Sequence, residues 1–263
     1  MKISISNIAW DASADMEMYD YLQKYCVEGL EIAPTRIFAE NPYERLEDAK
    51  EYGKKIREKY GMRISSIQSI WYGRTEKIFE DSKQREILIE YTNRAFAFAH
   101  ALECENLVFG CPRNRNINSE DDKKIAVEFF TKLGENAKKE GTVLALEANP
   151  PIYNTNFLNT TQQVNDLIEE INTSGIKMNY DFGTVIENKE AVGDVKKYMN
   201  VINHVHISEP YLEEIQYTEK HRELLDILKT ENYDRYVSIE MKNLNNVDKV
   251  KNALEQLIKL MRS

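Results

Sequence analysis

The stretch TVLALEAN, residues 142–149, reads as a strand with two different faces. Side chains alternate across a strand, so Val143, Ala145, Glu147 and Asn149 share one face, while Leu144, Leu146 and Ala148 share the other. The larger aliphatics suit a covering layer of helices. The opposite face carries a carboxylate and an amide.

Similar runs recur on both sides of it. KISISNI begins at residue 2, GLEIAP at 29, RISSIQSI at 63, NLVFG at 106, IKMNYDFG at 176, INHVHIS at 202 and RYVSIEMK at 235, which makes eight strand segments in all. Between them lie segments such as NPYERLEDAKEYGKKIREKYG, SKQREILIEYTNRAFAFAHAL and SEDDKKIAVEFFTKLGENAKKEG, with apolar residues three and four apart and charges on the other side. These predict amphipathic helices, two of them stopping at Gly61 and Gly141 and two starting at Asn41 and Ser119. Eight strand-helix units predict an α/β fold, a (β/α)8 TIM barrel in one domain over residues 1–263. An open doubly wound sheet is the runner-up. No linker rich in Gly, Pro or Ser divides the chain.

Composition narrows the setting. With 42% hydrophobic residues the chain can build a large core, and a formal net charge of -9 repels a polyphosphate backbone, so a small-molecule partner is expected rather than nucleic acid. No run of about 18 apolar residues marks a membrane span, and the start MKISISNIAW lacks the apolar core of a secretory signal. The three cysteines form no C-x-x-C pair, which fits a reducing cytoplasm. Association of copies through outer helices is left open.

The face that holds Glu147 has counterparts on the next three strands. By the same alternation Asn179 and Asp181 share a face, His204 and His206 share one, and Ser238 and Glu240 share one. Glu147, Asp181, His206 and Glu240 therefore fall near the C-terminal ends of successive strands, about 30 residues apart, the length of one β/α unit. Any one of them alone is better explained by a helix cap or a surface ion pair. Four in one parity are harder to explain so. Three carboxylates in a barrel mouth would repel one another and resist ionising, and a divalent cation removes that penalty. The donor set favours Mn²⁺, Mg²⁺ or Co²⁺ and also admits Zn²⁺.

The motifs ALEAN around Glu147, NYDFG around Asp181, HVHISE around His206 and VSIEM around Glu240 resemble those of the xylose-isomerase-like barrel superfamily of sugar isomerases and epimerases, and the ketose 3-epimerases in particular. The resemblance implies that these four residues bind one divalent metal, with His204 and Glu209 nearby. It also implies an isomerase mechanism in which Glu147 and Glu240 act as the acid-base pair. One removes the proton next to a ketose carbonyl to give a metal-held cis-enediolate; the other returns it. Two positions depart from the family. Thr184 stands where many members carry a histidine, and Leu212 stands where the epimerases carry an arginine. The sugar, phosphorylated or not, is thus left open.

Further candidate substrate contacts are Asn149, Thr184 and Lys242 in the second half, with Gln68 and Trp71, beside Trp10 and Tyr72, as an aromatic and amide wall in the first. Arg113 and Arg115 lie in the loop FGCPRNR; they suit a substrate phosphate or carboxylate, and equally a solvated basic loop. His221 reads as a packing or surface residue and His100 as a buried or boundary helix residue. A sugar dehydratase or lyase would begin with the same deprotonation. An apurinic endonuclease of the same superfamily needs further histidines, which GLEIAP, SSIQSI, LVFGCP and DFGT lack.

Overall fold

Each of the eight strand segments forms a strand in the computed structural model, which describes residues 1–262: β1 Lys2–Ser6, β2 Gly29–Ile32, β3 Arg63–Ile67, β4 Leu107–Phe109, β5 Leu144–Glu147, β6 Ile176–Asp181, β7 Ile202–Ile207 and β8 Tyr236–Ile239. Every strand pairs in parallel with its sequence neighbours, and β8 pairs with β1, so the sheet closes into a (β/α)8 barrel. The open-sheet alternative is thereby excluded.

The outer layer contains α1 Asp15–Lys24, the short α2 Pro34–Ile37, α3 Leu46–Tyr60, α4 Ser82–Ala101, α5 Asp122–Lys139, α6 Thr161–Ile171, α7 Phe182–Asn188, α8 Glu219–Thr230 and α9 Val247–Arg262. Helix α3 buries Ala49, Gly53, Ile56 and Tyr60, one stripe at helical spacing, and ends at Gly61 with φ 72°. Its start differs from the sequence reading. Asn41 takes φ 44° ahead of Pro42 and opens only a 3-10 turn, so the helix begins at Leu46. Helix α5 likewise starts at Asp122 rather than Ser119, because the Asp122 carboxylate accepts the backbone N–H groups of Asn118 and Ser119 and holds those residues in a turn. His100, expected to be a buried or boundary helix residue, is exposed and meets the Glu140 carbonyl through Nδ1. Among the described residues no helix is long and apolar enough to cross a membrane.

Strand side chains divide into two layers. Ile5, Leu30, Leu107, Leu144, Leu146, Val205 and Ile239 pack beneath the helices, fully buried. Inside the barrel the fill is polar, where branched aliphatics are usual. Ser4, Ser6, Glu31, Ser66, Asn106, Asn179, His204, His206 and Ser238 are all buried. Much of this interior is cross-linked by hydrogen bonds: Ser4 Oγ meets Ser65 Oγ at 2.6 Å, Asn106 Nδ2 donates to Ser66 Oγ at 2.9 Å, and Asn203 Nδ2 donates to Asn106 Oδ1 at 2.7 Å.

Two irregularities set the phase of this interior. Leu30 pairs with Ile64 but Glu31 with Ser66, leaving Ser65 as an extra residue on β3; Met178 pairs with Ile202 but Asn179 with His204, leaving Asn203 extra on β7. A single inserted residue switches which side chains face inward. Gln68, His204 and His206 all owe their inward direction to these bulges.

Candidate metal and sugar site

The C-terminal ends of β5 to β8 bring Glu147, Asp181, His206 and Glu240 together, with one ligand-type atom from each lying within 4.8 Å of all the others. The centre of the group is an imidazole nitrogen. His206 Nδ1 lies 3.1 Å from Glu147 Oε2 and 3.2 Å from Glu240 Oε2. Asp181 completes the set from β6 and is also the N-cap of α7: its Oδ1 accepts the Thr184 N–H at 2.6 Å and its Oδ2 accepts the Ser208 hydroxyl at 2.5 Å. The helix-cap role and the site position, alternatives on sequence grounds, coexist in one side chain. Gly183 makes this arrangement fit. Its N–H donates to Ser208 Oγ at 2.9 Å, and a Cβ there would lie 2.8 Å from the same oxygen.

The charges of this group are in tension. Burial, reinforced by the negative charge of Glu147, pushes the Asp181 carboxyl up to about 6. Burial also raises Glu240 to about 7, with Glu147 and Glu31 adding to the effect and His206 opposing it. For His206 burial disfavours the charged ring, yet Glu240 and Glu31 outweigh it and hold the imidazole well above its ordinary range. Three carboxylates thus share one imidazolium, so negative charge is in surplus. A compact cluster of hard oxygen donors and one imidazole nitrogen, short of positive charge, fits a divalent cation.

A cavity of about 210 Å³ opens directly on the cluster. Glu147, Asp181 and Glu240 form one side, Gln68, Ser69 and Asn149 add polar groups, and Val108, Pro112, Tyr153 and Leu212 supply apolar wall. Asn149 Nδ2 also donates to Glu147 Oε1 at 3.0 Å. Gly110 leaves room for that carboxylate, since a Cβ there would come within 3.0 Å of Glu147 Oε1.

Other residues singled out from the sequence lie elsewhere. Arg115 is fully buried and donates to the Glu147 carbonyl and Asn149 Oδ1, each at 2.9 Å, and to the Leu158 carbonyl at 3.4 Å. Its guanidinium braces the loops after β5 and is fully buried outside the cavity lining, out of reach of a substrate anion; burial lowers it to about 10. Arg113 is exposed and outside the cavity lining. Trp71 is core: its Nε1 donates to Thr92 Oγ1 at 2.8 Å and its ring packs edge-on against Phe109 and Phe129. Trp10 is likewise buried, bonded to Asp15, and Tyr72 is exposed. The Thr184 hydroxyl is taken by the Ala148 carbonyl at 2.8 Å, Lys242 pairs with Glu213, and Glu209 accepts the Gln216 N–H at 3.0 Å, closing its own loop.

His204 lies one layer deeper than His206 and makes no contact with the cavity. Its Nε2 sits 3.2 Å from Glu31 Oε2, in a line too poor for a full hydrogen bond. Burial lowers its basicity despite that neighbour. Glu31 itself was passed over on sequence grounds. It lies fully buried on β2, and its Oε2 is 2.9 Å from His206 Nε2 across the barrel. The only signal for it was a carboxylate in an otherwise apolar strand, with partners on β7 that the sequence does not join to it. Tyr153, Cys111 and Ser208 were also missed. Cys111 lies against the cavity with its thiol pushed up to about 12 by burial, so it stays unionised.

Comparison with known proteins agrees with this architecture. A family model described as xylose isomerase-like TIM barrel matches residues 20–263. No curated protein matches the chain. Among solved structures it is similar to the 3-keto-D-glucoside 4-epimerase YcjR from E. coli, with a TM-score of 0.78 and 19% identity over 100% of both chains. It is similar also to D-psicose 3-epimerase from Clostridium cellulolyticum H10 with D-tagatose, with a TM-score of 0.81 and 14% identity over 100% of this chain and 98% of that one. An AP endonuclease, family 2, from Brucella melitensis shares the fold at a TM-score of 0.72 and 15% identity, over 93% and 94% of the two chains. At such identities the likeness is one of fold.

Proposed function

Because the chain belongs to the xylose isomerase-like TIM barrel family, we propose that it is a divalent-metal-dependent sugar epimerase or isomerase acting on a ketose or keto-sugar. One observation carries the reading: the Glu147 carboxylate at the end of β5 and the Glu240 carboxylate just past the end of β8 converge on a single His206 nitrogen, with Asp181 beside them and a small cavity in front. Glu147, Asp181, His206 through Nδ1, and Glu240 would hold the ion. A bound divalent cation supplies Lewis-acid polarisation of a carbonyl and its neighbouring hydroxyl, which acidifies the C–H between them.

The remaining chemistry falls to the chain's own side chains. Glu147 enters the cluster from the end of β5 and Glu240 from just past the end of β8, each on the same His206 nitrogen. One takes the proton from carbon, and the electron pair left behind delocalises into the carbonyl. The other then delivers a proton to the opposite face of the same carbon, which is epimerisation, or the proton returns to the adjacent carbon, which is isomerisation. Gln68 Oε1, held only by the Ser69 hydroxyl at 3.3 Å, is the amide oxygen left to accept from a substrate hydroxyl, while Val108, Pro112 and Leu212 form apolar wall. Among the described residues lining the cavity there is no Lys or Arg, which supports a neutral sugar over a sugar phosphate. The similar solved epimerases, one a 3-keto-D-glucoside 4-epimerase and one a D-psicose 3-epimerase, are in keeping with this class.

The test is solvent exchange. Protein loaded with Mn²⁺ and offered ketoses and keto-glycosides in D₂O is expected to place deuterium next to a carbonyl, read by NMR. No exchange with any member of the panel would overturn the reading, and three metal equivalents per chain would favour a phosphodiesterase.

A further inference from the structure

Glu31 is a carboxylate without an evident reason to be where it is. It is fully buried in the middle of the barrel, it does not line the cavity, and no Lys or Arg pairs with it among the described residues. All its partners are neutral or imidazole groups. Oε2 faces His206 Nε2 at 2.9 Å and His204 Nε2 at 3.2 Å, and Oε1 accepts from Gln68 Nε2 at 3.1 Å, an amide that also donates to Ser6 Oγ at 2.6 Å.

The geometry points to Glu31 as the residue that selects which nitrogen of His206 faces the metal, an inference that rests on the metal site proposed above. A carboxylate can only accept, so the ring nitrogen beside it must carry hydrogen. With Nε2–H directed at Glu31, the remaining nitrogen, Nδ1, is the one presented to Glu147, Asp181 and Glu240. Turning the ring over would break the 2.9 Å bond and aim carbon at the cluster. Gln68, itself fixed by Ser6, keeps Glu31 from rotating. An amide at position 31 could present either oxygen or nitrogen to the ring and would not enforce this choice. Glu31 is therefore a positioning residue: it acts on substrate only through His206. A partner of this type raises ligand basicity as well as fixing orientation, and losing one typically weakens metal binding about ten- to a hundredfold.

Two measurements test it. First, Mn²⁺ titrated into wild type and Glu31→Gln is expected to bind the variant about ten- to a hundredfold more weakly, while the metal-free melting temperature of the variant stays level or rises. Equal affinity in the two proteins overturns the inference and leaves the metal site standing; failure of wild type to bind one Mn²⁺ overturns both. A fall in metal-free stability with unchanged affinity marks a structural role only, and also overturns it. Second, and independent of any variant, wild type labelled with ¹⁵N-histidine and loaded with Zn²⁺ should show His206 with hydrogen on Nε2 and metal on Nδ1. The reverse pattern would refute the assignment.

Discussion

The Arg115 guanidinium donates to the backbone carbonyl of Glu147 at 2.9 Å, so the same residue that contributes a carboxylate to the site is tethered from behind by a buried cation. The bond fixes the end of β5, and with it the direction from which the Glu147 side chain enters the cluster. Arg115→Met would take this donor from the Glu147 carbonyl and the Asn149 amide oxygen, while the Leu158 carbonyl keeps the Asn149 backbone N–H at 3.0 Å. At about 1–3 kcal/mol for a buried acceptor left unpaired, a loss of about 3 kcal/mol or more is expected in denaturant unfolding. A loss under about 1 kcal/mol would show that the brace is dispensable.

Glu147→Gln and Glu240→Gln keep shape and remove the charge that accepts a proton. Each is expected to lower deuterium exchange into substrate by at least about a hundredfold, the usual range for removing a positioned acid or base, with the circular dichroism spectrum of the fold retained. Full exchange in either variant would rule out the paired-glutamate mechanism.

Ser208→Ala removes the hydroxyl that donates to Asp181 Oδ2 and accepts the Gly183 N–H. Asp181 keeps its bond from Thr184 but loses one constraint on its orientation. Mn²⁺ affinity should fall, by up to about tenfold, and fold stability by about 1–3 kcal/mol, because the buried Gly183 N–H loses its acceptor. Gly183→Ala forces the same hydroxyl aside and should reproduce the effect. Isothermal titration of both variants checks whether they move together.

His221 gives a pH dependence outside the site. It is buried against Phe182 and Tyr217, and burial lowers it to about 4 from an ordinary value near 6.5. The unfolded chain takes up a proton as pH falls below about 6.5, while the folded chain does not until about 4, so this contribution to stability is present above 6.5 and lost through that window. In metal-free protein, His221→Gln should lose about 1–2 kcal/mol less than wild type between pH 7.5 and 4.5. Identical pH profiles would contradict the assignment.

The barrel was readable because each parallel strand is a short apolar run and each is followed by a segment of helical period. The site on β5 to β8 was readable because alternation carries Glu147, Asp181, His206 and Glu240 to one face without any knowledge of which strands touch. What alternation does not contain is distance across the barrel. Glu31 meets His206 from 175 residues away, so GLEIAP showed a carboxylate with no partner. The same gap explains Arg115 and Thr184, whose polar ends are consumed by carbonyls that only the folded loops bring near. Trp71 was misdirected for a related reason: a ring that follows a strand end can turn toward the helices as easily as toward the cavity.

Asp181 joins two structures that are usually separate, since the oxygen that accepts the Thr184 N–H belongs to the carboxylate that faces the cluster. The first turn of α7 is thereby wired to the contents of the site. Whatever draws electron density from that carboxylate weakens its hold on Thr184; whatever orders it tightens the turn. Amide hydrogen exchange at residues 182–188 becomes a gauge of occupancy, readable in the backbone with no substrate turned over.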